Sequence, residues 1–270
     1  MPELPEVEIT RRGIEPFVLG KAITGVTVRN PNLRRRVPRN IARLVVGQRV
    51  KRLRRRGKYL LFECDAGCLI VHLGMSGSLR VIEPRSPPRK HDHLDLVFGG
   101  SALRLRDPRR FGVVLWSRGD ASRHPLLARL GIEPLSEEFS PEFLYEVTRG
   151  RNVGIKQLLM NAGVIVGVGN IYANESLFKA GIHPRAHAGR LSRERCRRLV
   201  DAVKETLVAA IAAGGSSLRD FVHSDGASGY FQQNYYVYDR AALPCRVCGA
   251  GIRVARLGQR SSFYCSTCQT

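Results

Sequence analysis

The chain has no apolar run long enough to cross a bilayer. Its longest, at 162–168 and 207–213, fall far short of the roughly 20 residues that a spanning helix needs. It is also short of acid: 23 Asp and Glu stand against 44 Lys and Arg, a formal charge of +21 over 270 residues. That excess is far beyond what solubility requires and points to a polyanionic partner. The basic residues are spread through patterned segments and form no tail, which argues against a ribosomal or membrane-surface role. No tandem repeat or low-complexity tract is evident, and the acidic, proline-containing start lacks the features of a signal peptide. Cysteine is scarce. Four of the seven crowd near the C-terminus, while Cys64, Cys68 and Cys196 fall in apolar patterns as small core residues, so no disulfide framework is expected. With 43% hydrophobic residues, the expectation is a folded two-domain protein of bacterial, cytoplasmic type without membrane contact.

What the chain does have begins at its second residue. In Met1-Pro2-Glu3-Leu4-Pro5-Glu6-Val7-Glu8 a small residue follows the initiator methionine, so trimming leaves a secondary amine followed at once by a carboxylate. The ordinary pKa of an α-amino group is about 8, which leaves a share uncharged near neutral pH and able to attack carbon. Attack on a sugar C1′ gives an iminium ion without help from a lysine. The plainer role for Pro2 is to stiffen an N-terminal arm.

Between residues 23 and 116 the periodicity is that of strands. Tyr59-Leu60-Leu61-Phe62, Leu69-Ile70-Val71, His93-Leu94-Asp95-Leu96-Val97-Phe98, Leu103-Arg104-Leu105 and Val113-Val114-Leu115-Trp116 are short runs of the kind that build a sandwich or barrel. Gly99-Gly100-Ser101 signals a hairpin, and residues 9–19 fit one helix. Gly131-Ile132-Glu133-Pro134-Leu135-Ser136 reads as a linker, after which helical spacing takes over. Helix-like pieces at 155–160 and 170–180 flank a glycine-spaced stretch. Leu199, Val203, Leu207 and Ile211 share one face, with Ser192 as N-cap and Gly214-Gly215 as stop. The expected domains are 1–130, a linker at 131–137, a helical domain at 138–235 and a finger at 236–270.

Cys245-x2-Cys248 and Cys265-x2-Cys268 have the spacing of two thiolate knuckles that meet on one tetrahedral zinc. Sulfur takes all four positions and leaves none for water, so this zinc is structural. Between the pairs runs a β-ribbon candidate with Arg260 at its tip, placed to press on phosphate or to stand solvated. Gly167-Val168-Gly169-Asn170 leads into a helix; with Asn170 and Lys156 it forms a candidate phosphate clamp, a helix-packing turn being the ordinary reading. Met75, in Gly74-Met75-Ser76-Gly77, and Arg109 and Phe111, in Asp107-Pro108-Arg109-Arg110-Phe111-Gly112, sit in loop-like settings. They suit wedges that enter a duplex and fill the void of an extruded base, although such side chains also serve as ordinary core. His91 and His93 fall on one face of a strand with no third ligand and are not read as a metal site.

These pieces, with Arg56-Gly57-Lys58-Tyr59-Leu60-Leu61, His72-Leu73-Gly74-Met75-Ser76-Gly77, Lys90-His91-Asp92-His93 and Val166-Gly167-Val168-Gly169-Asn170-Ile171-Tyr172-Ala173, resemble the bacterial formamidopyrimidine-DNA glycosylase family over essentially the whole chain. The resemblance implies an α+β fold: an N-terminal two-sheeted β-sandwich, then a C-terminal helix-two-turn-helix domain with a zinc-finger β-hairpin. It implies a monomer that repairs damaged double-stranded DNA, lying between the two halves, in the nucleoid of a bacterial cytoplasm. Pro2 would displace an oxidised purine and form a Schiff base. Glu3 would move protons near the sugar ring oxygen, Glu6 would organise the N-terminus, and Lys58 would assist base release and elimination. Arg260 would serve the later β,δ-elimination. His91, Arg109, Arg151, Asn152, Lys156 and Asn170 match DNA-contact positions, and Met75 and Phe111 the wedge. The stretch 216–230 corresponds to a loop closing over the extruded base. Two departures stand out: Asn152 where relatives carry a lysine or arginine, and Asp239 where they commonly carry glycine. Two alternatives remain, an endonuclease VIII-type enzyme acting on oxidised pyrimidines and a non-catalytic zinc module that binds damaged DNA. Leu4 and the Met75 and Phe111 loops favour the purine branch, and Pro2, Glu3 and Lys58 favour catalysis.

Overall fold

In the computed structural model, residues 2–216 and 235–270 are described, and they divide into two units. The first comprises residues up to 129 together with 213–216; the second comprises 130–212 and 235–270.

The first unit opens with helix α1 (Leu4–Val18), five residues earlier than apolar spacing alone suggests. The reason is local: Glu3 is the N-cap, Pro5 sits in the first turn where its missing amide costs nothing, and Glu3 and Glu6 form a reciprocal capping box. Strands β1 (Gly25–Val28), β2 (Val50–Arg56), β3 (Tyr59–Cys64), β4 (Gly67–His72), β5 (Ser78–Ile82), β6 (Asp92–Phe98), β7 (Ser101–Arg106) and β8 (Val113–Arg118) follow, with a short helix α2 (Ile41–Val45) between the first two. They pair antiparallel in two four-stranded sheets, ordered β2-β3-β4-β8 and β1-β6-β7-β5. Leu60, Phe62, Leu69 and Val71 of one sheet, Leu79, Leu94, Leu96 and Leu105 of the other, and Val7, Ile14 and Val18 of α1 make one buried core. The strand periodicity therefore resolves to a sandwich. Gly99-Gly100 forms the expected two-residue turn, Phe98 facing Ser101.

The second unit is helical: α3 (Pro141–Thr148), α4 (Ile155–Leu159), α5 (Asn170–Lys179) and α6 (Arg193–Ala212). The Ser192 hydroxyl caps α6 by accepting the Arg195 amide, and Gly214 and Gly215 follow it at φ 78° and 77°. Two expectations change. Residues 131–132 are not a free linker: the Gly131 amide donates to Ala162 O, Ile132 bridges Ile165, and a Cβ on Gly131 would lie 2.2 Å from Val164 O. The hairpin β9 (Arg253–Leu257) and β10 (Arg260–Tyr264) does not stand apart either. Ile252 and Cys265, which flank it in the chain, cluster with Val237 and with Phe178 of α5, because so short a finger buries too little apolar surface alone.

Candidate active site and nucleic-acid interface

In the first unit Pro2 is buried immediately ahead of α1. Glu3 and Glu6 are 2% and 0% exposed, and the Glu3 amide donates to Glu6 Oε2 at 2.8 Å. Glu6 Oε1 also accepts the amide and hydroxyl of Ser216 at 2.9 and 2.8 Å. A buried carboxylate with three such donors is held rigidly, so Glu6 fixes both the N-terminal residues and the chain at 216. The stretch 217–230 of the expected lesion loop lies outside the described residues.

Lys58 occupies the two-residue β2–β3 turn, in which Arg56 faces Tyr59 and Gly57 takes φ 55°. Glycine in the first central position satisfies the type II′ turn that matches strand twist, so the sequence itself places Lys58 at a hairpin tip. Beside it, His72 Nδ1 accepts the Gly74 amide at 2.9 Å, and its ring packs on Tyr59 with centroids 4.7 Å apart. Burial, then the charges of Lys58 and Arg34, push the His72 imidazole down to about 4, so it is neutral at physiological pH.

The two wedge loops meet through glycine. Gly74 stands at φ 71°, and a Cβ there would lie 2.5 Å from the Phe111 carbonyl carbon. Asp107 ties down the second loop: Oδ2 accepts the Gly112 amide at 2.7 Å, its carbonyl accepts His93 Nε2–H at 2.8 Å, and its amide donates to His91 O at 3.0 Å. His91 and Arg110 hold left-handed conformations, φ 75° and 57°. His91 is thus a loop residue preceding β6 and does not alternate with His93 along a strand, as the sequence suggests. Met75 is half-buried, Phe111 is 41% exposed, and the Arg109 guanidinium lies over the Phe111 ring at 5.0 Å. Neither Met75 nor Phe111 belongs to the sandwich core.

In the second unit Asn170 opens α5 after Gly169, with Gly167 at φ 84°, so the positive end of the helix dipole favours an anion there. Arg260 is exposed at the start of β10, directly across the Gly258-Gln259 turn. Arg151 is exposed, whereas the oxygen of Asn152 faces His187 Nε2. Lys156 departs from the clamp expectation. It is 2% exposed and its ammonium donates to Ser261 O at 2.8 Å and Ser262 Oγ at 2.7 Å, so its charge is directed into the hairpin that carries Arg260. Buried ammonium groups persist only with such partners, and the ribbon supplies them from 105 residues away.

Cys245, Cys248, Cys265 and Cys268 bring their Sγ atoms within 4.8 Å of one another, with Cys245–Cys268 at 3.9 Å and Cys248–Cys265 at 3.4 Å. Tetrahedral zinc with Zn–S near 2.3 Å requires sulfurs about 3.8 Å apart, so the four are gathered closely enough to converge on one ion. Burial raises the Cys265 thiol, but the amides of Cys268 and Thr267 and the neighbouring Cys248 and Cys245 outweigh it and bring it down to about 7. The cluster holds one structural zinc, and no other group of metal-ligating side chains occurs among the described residues.

Sequence reasoning passed over Glu175. This carboxylate on α5 accepts the amides of Tyr236, Val237 and Tyr238 at 2.9, 3.0 and 2.8 Å and pins the chain entering the finger. Its only signal is an acid within a helix otherwise buried from Ile171 to Phe178.

The chain matches the formamidopyrimidine-DNA glycosylase N-terminal domain over residues 1–114, the formamidopyrimidine-DNA glycosylase H2TH domain over 130–222, and a zinc finger found in FPG and IleRS over 242–270. It is 59% identical to the formamidopyrimidine-DNA glycosylase of Aromatoleum aromaticum, covering 100% of this chain and 99% of that one. Lactococcus lactis Fpg in complex with abasic-site DNA is similar in structure at TM-score 0.92 and 33% identity, over 99% of both chains. The same protein with N7-benzyl-Fapy-dG DNA is similar at TM-score 0.92 and 34% identity, over 99% of both. Matched along its whole length in sequence and structure, the chain belongs to the formamidopyrimidine-DNA glycosylase family.

Proposed function

We propose that the chain is a base-excision repair enzyme that removes oxidised purines, 8-oxoguanine and formamidopyrimidines, from duplex DNA and then cleaves the strand. The carrying observation is the interlocked start of α1, which buries Pro2 beside two immobilised carboxylates. Once Met1 is removed, the Pro2 nitrogen attacks C1′ and the damaged base leaves with the glycosidic electron pair and a proton. Glu3 delivers a proton to the ring oxygen as the ring opens and the iminium forms. Lys58 neutralises the lesion-side phosphate. Loss of the 3′ and then the 5′ phosphate by β- and δ-elimination follows, with Arg260 serving that stage. His91, Arg109, Arg151 and Asn170 contact DNA, and Met75 and Phe111 fill the vacated stack. Lys156 acts on DNA through the ribbon it holds. The zinc supplies no chemistry beyond fixing the finger.

The complexes of the Lactococcus lactis protein with abasic-site DNA and with N7-benzyl-Fapy-dG DNA support damaged DNA as the partner. No helix among the described residues is long and apolar enough to cross a membrane. The protein acts as a monomer in the bacterial cytoplasm, at the nucleoid.

Incubation with duplex DNA carrying one 8-oxoguanine opposite cytosine, then borohydride, traps a covalent adduct that maps to Pro2. The Pro2→Gly variant keeps DNA affinity and loses cleavage. Normal cleavage by that variant sinks the nucleophile assignment; an adduct only with oxidised pyrimidines moves the substrate to the endonuclease VIII class.

A further inference from the structure

The outward face of the β1-β6-β7-β5 sheet carries a charge pattern that DNA chemistry at Pro2 does not use. One cross-strand row runs Asp95, Arg104, Arg80; the next runs Asp92, Arg106, Ser78. Each arginine of β7 has an aspartate opposite it on β6, but Arg80 on edge strand β5 faces Arg104, a like charge. The loop after β5 closes over these rows. Arg104, 6% exposed, donates a bidentate pair of hydrogen bonds to Asp95 at 2.9 and 2.8 Å and donates onward to Ser86 O at 2.9 Å and Pro87 O at 3.1 Å. Between loop and sheet remains a cavity of about 340 Å³ lined by Arg80, Arg89, Arg104, Arg106 and Asp92, with Ile82 and Pro87 as apolar walls.

The charge does not balance. Arg29 also pairs with Asp95, and Arg104 with Asp95 and Asp92, so among the described residues the ion pairs of these two aspartates go to Arg29 and Arg104, while Arg80, Arg89 and Arg106 line the cavity with Asp92 as its one acidic lining residue. Arg80 Nε is buried without a hydrogen-bond partner. Burial and the charge of Arg106, then that of Arg89, disfavour the Arg80 cation against the pull of Asp92, yet a guanidinium stays protonated in proteins, so the surroundings of Arg80 favour an anion.

We propose that this cavity binds a phosphate group, gripped by the forks of Arg80, Arg89 and Arg106, with Arg104 as the rigid floor. Planar guanidinium forks match two phosphate oxygens at once. The cavity touches the reaction through the chain: β5 begins just after the Met75 loop, β7 runs straight into Asp107 and the Phe111 loop, and the closing loop ends at His91. An occupied cavity therefore stiffens all three.

The phosphate belongs either to a DNA strand running past the sheet or to a free phosphorylated ligand. Calorimetric titration of the whole protein with pyrophosphate, in phosphate-free buffer, tests both. Arg80→Gln is expected to bind pyrophosphate at least tenfold more weakly than wild type. Arg80→Lys, which keeps the charge but loses the fork, falls between. The salt dependence of binding to undamaged duplex separates the sources: a log–log slope shallower by about one in Arg80→Gln assigns DNA, and an unchanged slope with pyrophosphate binding lost assigns a free ligand. Removing a charge that faces Arg104 leaves the fold intact, which an unchanged or raised Tm verifies. Equal pyrophosphate affinity and equal slope in Arg80→Gln and wild type overturn the proposal.

Discussion

Asp239 adopts φ 57°, the left-handed region that L-residues enter at a cost and glycine enters freely. The aspartate is tolerated because its short polar side chain is among the few that populate this region. Asp239→Gly is accordingly expected to stabilise the protein by roughly 0.5 kcal/mol, read from the urea midpoint; a loss of stability would mean that the carboxylate has a role of its own. His72 gives a pH signature. Its imidazole is held near 4 in the folded state against 6.5 when free, so the unfolded chain binds the extra proton between these values. The contribution is full above pH 6.5 and is lost as pH falls toward 4, about 3 kcal/mol in all. In His72→Asn, whose Oδ1 can accept the Gly74 amide without titrating, stability is expected to be flatter across that window.

At the scale of elements, two long-range ties join α4 and α5 to the finger: Lys156 to Ser261 and Ser262, and Glu175 to the amides at 236–238. Glu175→Gln replaces one acceptor oxygen by a donor and leaves a buried amide without a partner, a loss of about 1–3 kcal/mol measurable by denaturation. Burial raises the Glu175 carboxyl against the pull of those three amides. Its stabilising contribution is therefore largest below its unfolded pKa and declines as pH rises through the raised folded value. Glu175→Gln removes that decline as well. Zinc removal acts on the same element from the other end. A chelator strong enough to strip the four thiolates should release the ribbon that presents Arg260 and abolish strand nicking, while the far-ultraviolet helix signal of α3–α6 persists. Collapse of the helix signal with the metal would show that α5 depends on the finger for its own stability.

For the whole molecule, 44 basic residues against 23 acidic ones make association with DNA an electrostatic event. If Lys58, Arg109, Arg151 and Arg260 each neutralise one phosphate, log affinity plotted against log salt should fall with a slope of about −4 or steeper. A nearly flat plot would remove those cations from the interface. The opposite-charge partners are distributed just as tellingly: Glu8, Glu63 and Asp95 pair with arginines within the sandwich, so the excess is not general repulsion but a surplus left after internal pairing.

The sequence by itself determined what depends on neighbours along the chain. The two Cys-x2-Cys knuckles, the Pro2-Glu3 start, the Gly57-Lys58 turn, the strand periods and the Ser192 cap all rest on spacing of a few residues, where geometry follows from the backbone alone. The early start of α1 was legible as well, in Glu3, Pro5 and Glu6, but apolar periodicity masked it. Tertiary structure decided what depends on which distant segments meet. It buried Lys156 in a hairpin 105 residues away, set Glu175 under the chain at 236–238, fastened 131–132 to the glycine stretch, and left Arg80 facing Arg104. A charge has no fixed role in a sequence. Burial and the partner brought to it set whether it binds a ligand or holds the fold, and both arise only when the chain is folded.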